Sequence, residues 1–307
     1  MKIAFVGGGT GGHLTPAVGL AEKMQERGHS VEFWLGGREV ETSYVKKEFV
    51  QHSLRIDTSK LPRSLAVLRS LFLARKYGRR FKPDVVVSMG GYAGFAAIGC
   101  LPSPLVCLEG NFVVGKSIRL LSFFAKITLV MFPGTAEKIN KSYVMGPVQR
   151  NSTRPCSRKE GLAFFDFDFN KPVLATMGGS QGALAVNDCL EKTLPYASKE
   201  GWQIIALTGS GKSDRLKKIM ETYPHKSWVG EHCDDMNKVY AAANFIMSRG
   251  GASTIAEIWL HKKPSLILPY PHADRQQYWN ASQLSPAVDI AKGDNDFEQL
   301  ISLLSHQ

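Results

Sequence analysis

Short apolar runs that end in glycines and give way to helical periodicity recur along this chain. A buried strand is predicted over 2–6, and it runs directly into Gly7-Gly-Gly-Thr-Gly-Gly-His13. A helix is predicted over 16–27, with Pro16 near its first turn, where a missing N–H costs little, and Gly28 closing it. The next strand is predicted over 30–35, which makes a βαβ opening and implies a parallel sheet. Further strands are predicted over 84–88, ending in Met89-Gly-Gly-Tyr-Ala-Gly94, and over 104–108, delivering Glu109-Gly110-Asn111.

The pattern breaks near Gly146-Pro147-Val148, and the polar, basic stretch 151–159 reads as a linker. The same grammar then restarts: a strand over 172–177, the turn Gly178-Gly-Ser-Gln-Gly182, a helix over 183–194, a strand over 202–207 and a helix over 214–222. The short apolar strand Phe245-Ile246-Met247 leads into Ser248-Arg-Gly-Gly-Ala-Ser-Thr-Ile-Ala-Glu257, which opens a helix ending near His261. Two α/β domains are expected, 1–148 and 149–307. Ligands of doubly wound sheets bind at the carboxyl ends of strands, so two facing halves would form one cleft. Gly250 and Gly251 permit close backbone approach, and unpaired N–H groups near Ser253 suit a phosphate. Glu257 lies one turn further in, placed to accept from sugar hydroxyls. An ordinary strand–turn–helix accounts for this stretch equally well.

Composition narrows the setting. The chain has 307 residues, 44% of them hydrophobic, enough for two globular domains. Its five cysteines are scattered and form no Cys-x-x-Cys, which favours a reducing compartment over a disulfide framework or a thiolate zinc site. Met1-Lys-Ile-Ala-Phe-Val has no signal-peptide architecture, and no apolar run reaches the length of about 18 residues that spans a membrane. A formal charge of +11 favours an acidic partner, whether nucleotide phosphate, nucleic acid or anionic lipid. Much of it lies between Arg55 and Lys82, which holds nine Lys or Arg and one acid, Asp57. There Leu61, Leu65, Leu68 and Phe72 fall at helical spacing among Arg69, Arg75, Lys76, Arg79 and Arg80. Apolar residues flanked by cations suit an interfacial helix on anionic lipid. The helix must also cover the sheet, so part of this stripe is expected in the core.

Five motifs occur together and in order: Gly7-Gly-Gly-Thr-Gly-Gly-His13, Met89-Gly-Gly-Tyr92, Gly178-Gly-Ser-Gln-Gly182, Arg249-x-Gly-x-x-Thr-x-x-Glu257 and Asp274-Arg-Gln-Gln-Tyr-Trp-Asn280. Through them nearly the whole chain resembles the MurG glycosyltransferase family. The resemblance implies a GT-B fold of two Rossmann-like domains with parallel sheets facing across a cleft. It implies inverting transfer of N-acetylglucosamine from UDP-N-acetylglucosamine to the 4-hydroxyl of lipid-linked N-acetylmuramoyl-pentapeptide, at the cytoplasmic face of the cell membrane. By motif, Glu257 is similar to the residue that holds the ribose, Gln276 and Gln277 to the pair that reads the sugar, and Ala252 and Ser253 to the backbone beside it. Ser180 and Gln181 resemble the diphosphate loop, joined by Thr10, Gly11 and Gly12 and by the cations Arg150 and Arg249. His13 is the candidate base and Glu109 its supporting acid, with Gly90, Gly91, Tyr92 and Asn111 toward the acceptor. The membrane patch would comprise Leu65, Leu68, Arg69, Phe72, Arg75 and Lys76.

The resemblance implies no cofactor and no metal beyond the donor, an anionic membrane surface and other cell-wall synthesis proteins as partners, and no nucleic acid. Neighbouring readings are another GT-B lipid glycosyltransferase, a UDP-sugar 2-epimerase, and a non-catalytic scaffold. The displaced linker arginine and the short C-terminus favour the last, and the intact donor motif opposes it. The linker's Asn-Pro-Val-Arg reads Gly146-Pro-Val-Gln149-Arg150, Glu-Gln-Asn reads Glu109-Gly110-Asn111, and the apolar pair at the uracil pocket reads His232-Cys233. The chain stops at Gln307, so the family's C-terminal crossover helices are expected to be short or absent. Ala206-Leu-Thr-Gly-Ser-Gly-Lys-Ser213 approaches a P-loop, but Ala206 replaces its first glycine and no strand ending in Asp follows to hold magnesium.

Overall fold

The computed structural model describes all residues other than 10, 46–47, 57–61, 180–181, 272–273, 294–295 and 307. The chain divides into two compact units, Met1–Asn151 and Ser152–Gln307. The first carries strands β1 (Lys2–Gly7), β2 (Ser30–Leu35), β3 (Val50–Ser53), β4 (Val85–Ser88), β5 (Leu105–Glu109), β6 (Ile127–Val130) and β7 (Ser142–Val144). Its helices are α1 (Gly11–Glu26), α2 (Glu39–Tyr44), α3 (Arg63–Phe81), α4 (Gly91–Gly94), α5 (Lys116–Leu121) and α6 (Pro133–Ala136), with a 3-10 segment at Phe95–Cys100. Every strand pairing is parallel, in the order β3-β2-β1-β4-β5-β6-β7. The winding reverses between β1 and β4, and a crevice at such a switch point is where doubly wound sheets take ligands.

Both faces of this sheet are buried, which is why its central strands read as unbroken apolar runs. Successive β1 residues point to opposite faces. Ile3 and Phe5 join Leu14, Val18 and Phe33 on one side, and Phe5 stacks on Phe33 at 5.1 Å. Ala4 and Val6 join Trp34, Ala74, Cys107 and Ile118 on the other.

The second unit repeats the plan with β8 (Val173–Met177), β9 (Gln203–Leu207), β10 (Ser227–Gly230), β11 (Phe245–Ser248), β12 (Ser265–Ile267) and β13 (Asp289–Ile290). Its helices are α7 (Arg158–Phe164), α8 (Leu184–Lys199), α9 (Asp214–Met220), α10 (Met236–Ala242), α11 (Ala252–His261), α12 (Gln276–Ser282) and α13 (Asp296–Leu304). The strands are again all parallel, in the order β10-β9-β8-β11-β12-β13, and the switch point lies between β8 and β11.

Three sequence expectations change. Helix α1 begins at Gly11 rather than 16, which places Pro16 inside the helix. Only the first four N–H groups of a helix are unpaired in any case, so a proline at its sixth position forgoes one intrahelical hydrogen bond. Helix α8 does not stop at Pro195 but runs to Lys199, because Leu190, Leu194 and Ala197 keep one apolar face in the core beyond the proline. The largest change is in α3. Its buried face is Ala66, Ser70 and Ala74, whereas Leu65, Leu68 and Phe72 are 51%, 60% and 72% exposed. The core-packing expected of that stripe therefore fails at every described member (Leu61 lies outside the described residues). Small residues line the buried face because the backbone of the 3-10 segment packs close: a Cβ on Gly99 would meet the backbone of Leu71 and Arg75.

Helix α7 packs on α10, and a Cβ at Gly161 would lie 2.6 Å from the Ala242 nitrogen and 2.8 Å from the Lys238 carbonyl. Alanine in place of glycine inside a helix normally stabilises by about 1 kcal/mol. Here the overlap is with backbone, so Gly161→Ala is expected to destabilise the second unit by roughly 1–3 kcal/mol in urea denaturation. A rise in stability would mean that α7 and α10 separate at no cost.

Candidate active site

In the first unit the residues singled out from sequence converge on the carboxyl ends of three adjacent strands, β1, β4 and β5. The two glycine loops meet backbone to backbone. Gly90 and Gly91 have φ of +78° and +68°, and a Cβ on Gly91 would lie 2.8 Å from the Gly8 carbonyl oxygen. Only glycine permits that conformation and approach together. His13 is the third residue of α1, and a Cβ at Gly9 would stand 3.3 Å from its Nδ1. That nitrogen is buried and has no hydrogen-bond partner among the described residues. A ring nitrogen in this state is open to a ligand's proton or lone pair.

Glu109 is 1% exposed at the end of β5. Its Oε1 accepts from the backbone N–H of Asn111 at 2.9 Å and from the Asn111 amide at 3.1 Å, while Oε2 accepts from the Gly115 N–H at 2.8 Å. Glu109 thus shapes the 109–115 loop and holds Asn111 in it. Tyr92, in contrast, is half exposed. Arg150 is half-buried in the segment after β7, which is strapped to α1: the Asn151 N–H donates to Glu22 Oε2 at 2.6 Å, and Gln149 backs onto Gly19.

In the second unit the residues gather at the ends of β8, β11 and β12, again adjacent strands. The N-terminus of α11 opens at Ala252, with Gly251 before it and Ser253 in its first turn. Glu257 is 5% exposed, and its Oε2 accepts from the hydroxyl of fully buried Tyr240 at 2.8 Å. A hydrogen bond to a buried carboxylate is worth about 1.5–3 kcal/mol. The Tyr240 ring stacks on His261 at 4.6 Å, and His261 Nε2 lies 2.9 Å from the Thr153 carbonyl.

The structure separates residues that sequence grouped. Arg249 turns to the β12 loop, donating from Nη1 to the carbonyls of Leu268 at 2.9 Å and Pro269 at 3.2 Å. Burial pulls its pKa down from the usual guanidinium value, and those carbonyls compensate the charge. Gln277 accepts at Oε1 from the N–H groups of Gly250 at 3.2 Å and Tyr270 at 2.9 Å, so it joins two loops. Gln276 is half-buried, and its side chain makes no hydrogen bond among the described residues. Thr10, Ser180 and Gln181 lie outside the described residues.

Sequence reasoning missed several supports. Asn280, fully buried, donates to the Gly250 carbonyl at 3.2 Å. Lys212, in the near P-loop, donates to the Gly182 carbonyl at 3.3 Å. Glu41 accepts from the Gly9 N–H at 2.7 Å. Asn280 and Lys212 stood inside quoted motifs; Tyr240 and Glu41 carried no sequence signal.

Two doubly wound parallel units with glycine loops and helix N-termini at the switch points make up the GT-B glycosyltransferase architecture. The crystal structure of MurG from Acinetobacter baumannii matches with a TM-score of 0.75 at 24% identity, over 99% of this chain and 90% of that one. A UDP-GlcNAc 2-epimerase from Neisseria meningitidis, bound to UDP-GlcNAc, matches at 0.68 and 14%, over 100% and 91%, so the fold alone does not choose a reaction. Sequence does more. The glycosyltransferase family 28 N-terminal domain matches residues 3–130 and the C-terminal domain residues 173–300. A Chlorobium luteolum protein named UDP-N-acetylglucosamine--N-acetylmuramyl-(pentapeptide) pyrophosphoryl-undecaprenol N-acetylglucosamine transferase is 34% identical, over 97% of this chain and 87% of its own length. A Glaesserella parasuis protein of the same name is 32% identical, over 99% and 88%. The chain belongs to the MurG family of glycosyltransferases, within glycosyltransferase family 28.

Burial lowers the pKa of His261, outweighing the Thr153 carbonyl and the Glu257 carboxylate that favour its cation. The unfolded chain takes up this proton near the ordinary value of 6.5, before the folded chain does. The stability contributed by the neutral ring is therefore complete above about pH 6.5 and lost as pH falls through the depressed folded pKa. Thermal denaturation of His261→Gln is expected to vary less than wild type between about pH 7.5 and 5.5. Parallel pH profiles would show that His261 is not a source of the acid sensitivity.

Proposed function

We propose that this chain transfers N-acetylglucosamine from UDP-N-acetylglucosamine to the 4-hydroxyl of undecaprenyl-diphosphate-linked N-acetylmuramoyl-pentapeptide, as an inverting hexosyltransferase. The observation that carries the reading is identity of 34% over 97% of the chain to a transferase of that name. In this reading the acceptor hydroxyl attacks the anomeric carbon, its proton passes to His13, and the C1–O bond breaks with its electron pair leaving on UDP. Removal of that proton by a placed base is typically worth 10²–10⁴-fold. The backbone of Ala252 and Ser253 at the start of α11 meets the diphosphate, helped by the loops carrying Ser180, Gln181, Thr10, Gly11 and Gly12 and by Arg150. N–H groups at a helix start stabilise the charge that develops on the leaving group. Glu257, set by Tyr240, takes the ribose hydroxyls, and Gln276 reads the sugar. Gln277 and Arg249 act as positioning residues for the loops that carry these contacts. Glu109 holds Asn111 toward the acceptor beside Gly90, Gly91 and Tyr92. The reading calls for no cofactor beyond the donor.

The acceptor's lipid requires the protein to work at a membrane surface, and we place it peripherally on the cytoplasmic face. Among the described residues no helix is long and apolar enough to cross a membrane. Helix α3 supports docking instead: Leu65, Leu68 and Phe72 are exposed on one face, among exposed Arg69, Arg75 and Lys76. Apolar insertion plus cation attraction to anionic lipid is how an interfacial helix binds. Other cell-wall synthesis proteins would share that surface.

The test is transfer of labelled N-acetylglucosamine from its UDP form onto a short-chain muramoyl-pentapeptide diphosphate lipid. A β-linked disaccharide lipid is expected; conversion of the sugar without an acceptor would replace this reading with an epimerase. His13→Ala should lower kcat by about 10²–10⁴ with UDP affinity nearly unchanged. Glu257→Ala should weaken UDP binding about tenfold or more, read by calorimetry. Co-sedimentation with anionic but not neutral vesicles should fall in Phe72→Glu and at high salt. Equal binding to both vesicle types would remove the docking role of α3.

A further inference from the structure

Glu41, on α2, is a carboxylate with 2% exposure in a unit whose loops are mostly glycine. Its Oε1 accepts from the Gly9 N–H at 2.7 Å, and its Oε2 from the N–H groups of Gly37 at 2.8 Å and Arg38 at 3.2 Å. The two oxygens therefore tie the loop after β1 to the loop after β2. The glycines around the carboxylate leave it room: a Cβ on Gly8 would fall on Oε1, and one on Gly36 would lie 3.1 Å from both oxygens. Gly8 in turn abuts Gly91, and Gly9 stands against His13 Nδ1. One buried carboxylate thus sits behind the glycine run and touches the backbone on which both the candidate base and the second glycine loop rest.

At 2% exposure Glu41 spends both oxygens on backbone donors, Oε1 on Gly9 and Oε2 on Gly37 and Arg38. The sheet does not need it, since β1 and β2 are already paired along their length. What it holds is the backbone at Gly9, four residues before His13. We infer that Glu41 is a positioning residue for the transfer reaction, fixing the glycine loop so that His13 meets the acceptor. This rests on the transferase reading above.

The experiment compares Glu41→Gln and Glu41→Ala with wild type in the transfer assay, alongside NMR amide exchange. The carboxamide keeps one acceptor oxygen and presents N–H₂ where the other stood, so one of the two loops loses its tie. Amide exchange of Gly9 or Gly37 is expected to accelerate while Ala4 and Phe5 in β1 stay protected. The kcat should fall at least about tenfold, since small misplacement of a reacting group carries penalties of that order. The KM for UDP-N-acetylglucosamine should rise by less than kcat falls, because the same loop also carries Gly11 and Gly12 toward the diphosphate while His13 alone takes the proton. Unchanged kcat with a loosened loop would overturn the inference. Loss of protection through β1, or a loss of donor affinity as large as the loss of kcat, would overturn it too by making Glu41 a general support of the unit. If Glu41→Ala does not fold, Glu41→Gln carries the test. Absence of transfer by wild type would instead defeat the functional reading, while amide exchange would still decide whether Glu41 holds the loop.

Discussion

A glycine loop that approaches a ligand closely has given up the side chains that would otherwise fix its shape. Its backbone N–H groups must nevertheless be held, because a buried unpaired donor costs about 1–3 kcal/mol. In this protein a small set of buried and half-buried side-chain oxygens does that holding. Glu41 takes the N–H groups of Gly9, Gly37 and Arg38, Glu109 those of Asn111 and Gly115, and Gln277 those of Gly250 and Tyr270. Each joins a strand end to a neighbouring turn, and each lies at the carboxyl edge of its sheet. The loops can be both glycine-rich and well defined because these acceptors sit behind them.

This division of labour explains why motif residues do not all face outward. In Asp274–Asn280 alternate duties fall to adjacent side chains: Asp274 accepts from the Gln276 N–H at 3.1 Å, Gln277 bridges two loops, and Asn280 grips the Gly250 carbonyl. Arg249 follows the same logic, its guanidinium spent on the carbonyls after β12. Within this motif Gln277 and Asn280 shape the loops around Gly250. Glu257 in turn has its carboxylate aimed by Tyr240 from another helix.

Helix α3 reverses the usual order of burial for a similarly local reason. Close packing against the 3-10 segment Phe95–Cys100 is made by Ala66, Ser70 and Ala74, while Leu73, Tyr77 and Phe81 pack at the margin of the core. Leu65, Leu68 and Phe72 therefore turn outward. Their exposure follows from the packing and is therefore available for a surface role.

The alternation of apolar strands with glycine turns and helical segments was enough to establish two parallel α/β halves, because burial on both sheet faces leaves that pattern in the chain itself. The glycine runs and the long Asp-Arg-Gln-Gln-Tyr-Trp-Asn string likewise marked the strand ends at which the candidate residues gather. Helix limits at Gly11 and Lys199 were not legible, since packing of Leu190, Leu194 and Ala197 overrides the local signal of a proline. Direction was not legible either: whether Arg249, Gln276 or Gln277 faces a ligand or a neighbouring loop depends on strands far away in sequence. Glu41 and Tyr240 stood outside every motif, because a single buried acceptor or donor needs no periodic partner in sequence. Only the order of strands, which puts β1 beside β4 and β8 beside β11, brought the loops and their supports together, since parallel neighbours are joined by long crossovers rather than by adjacent residues.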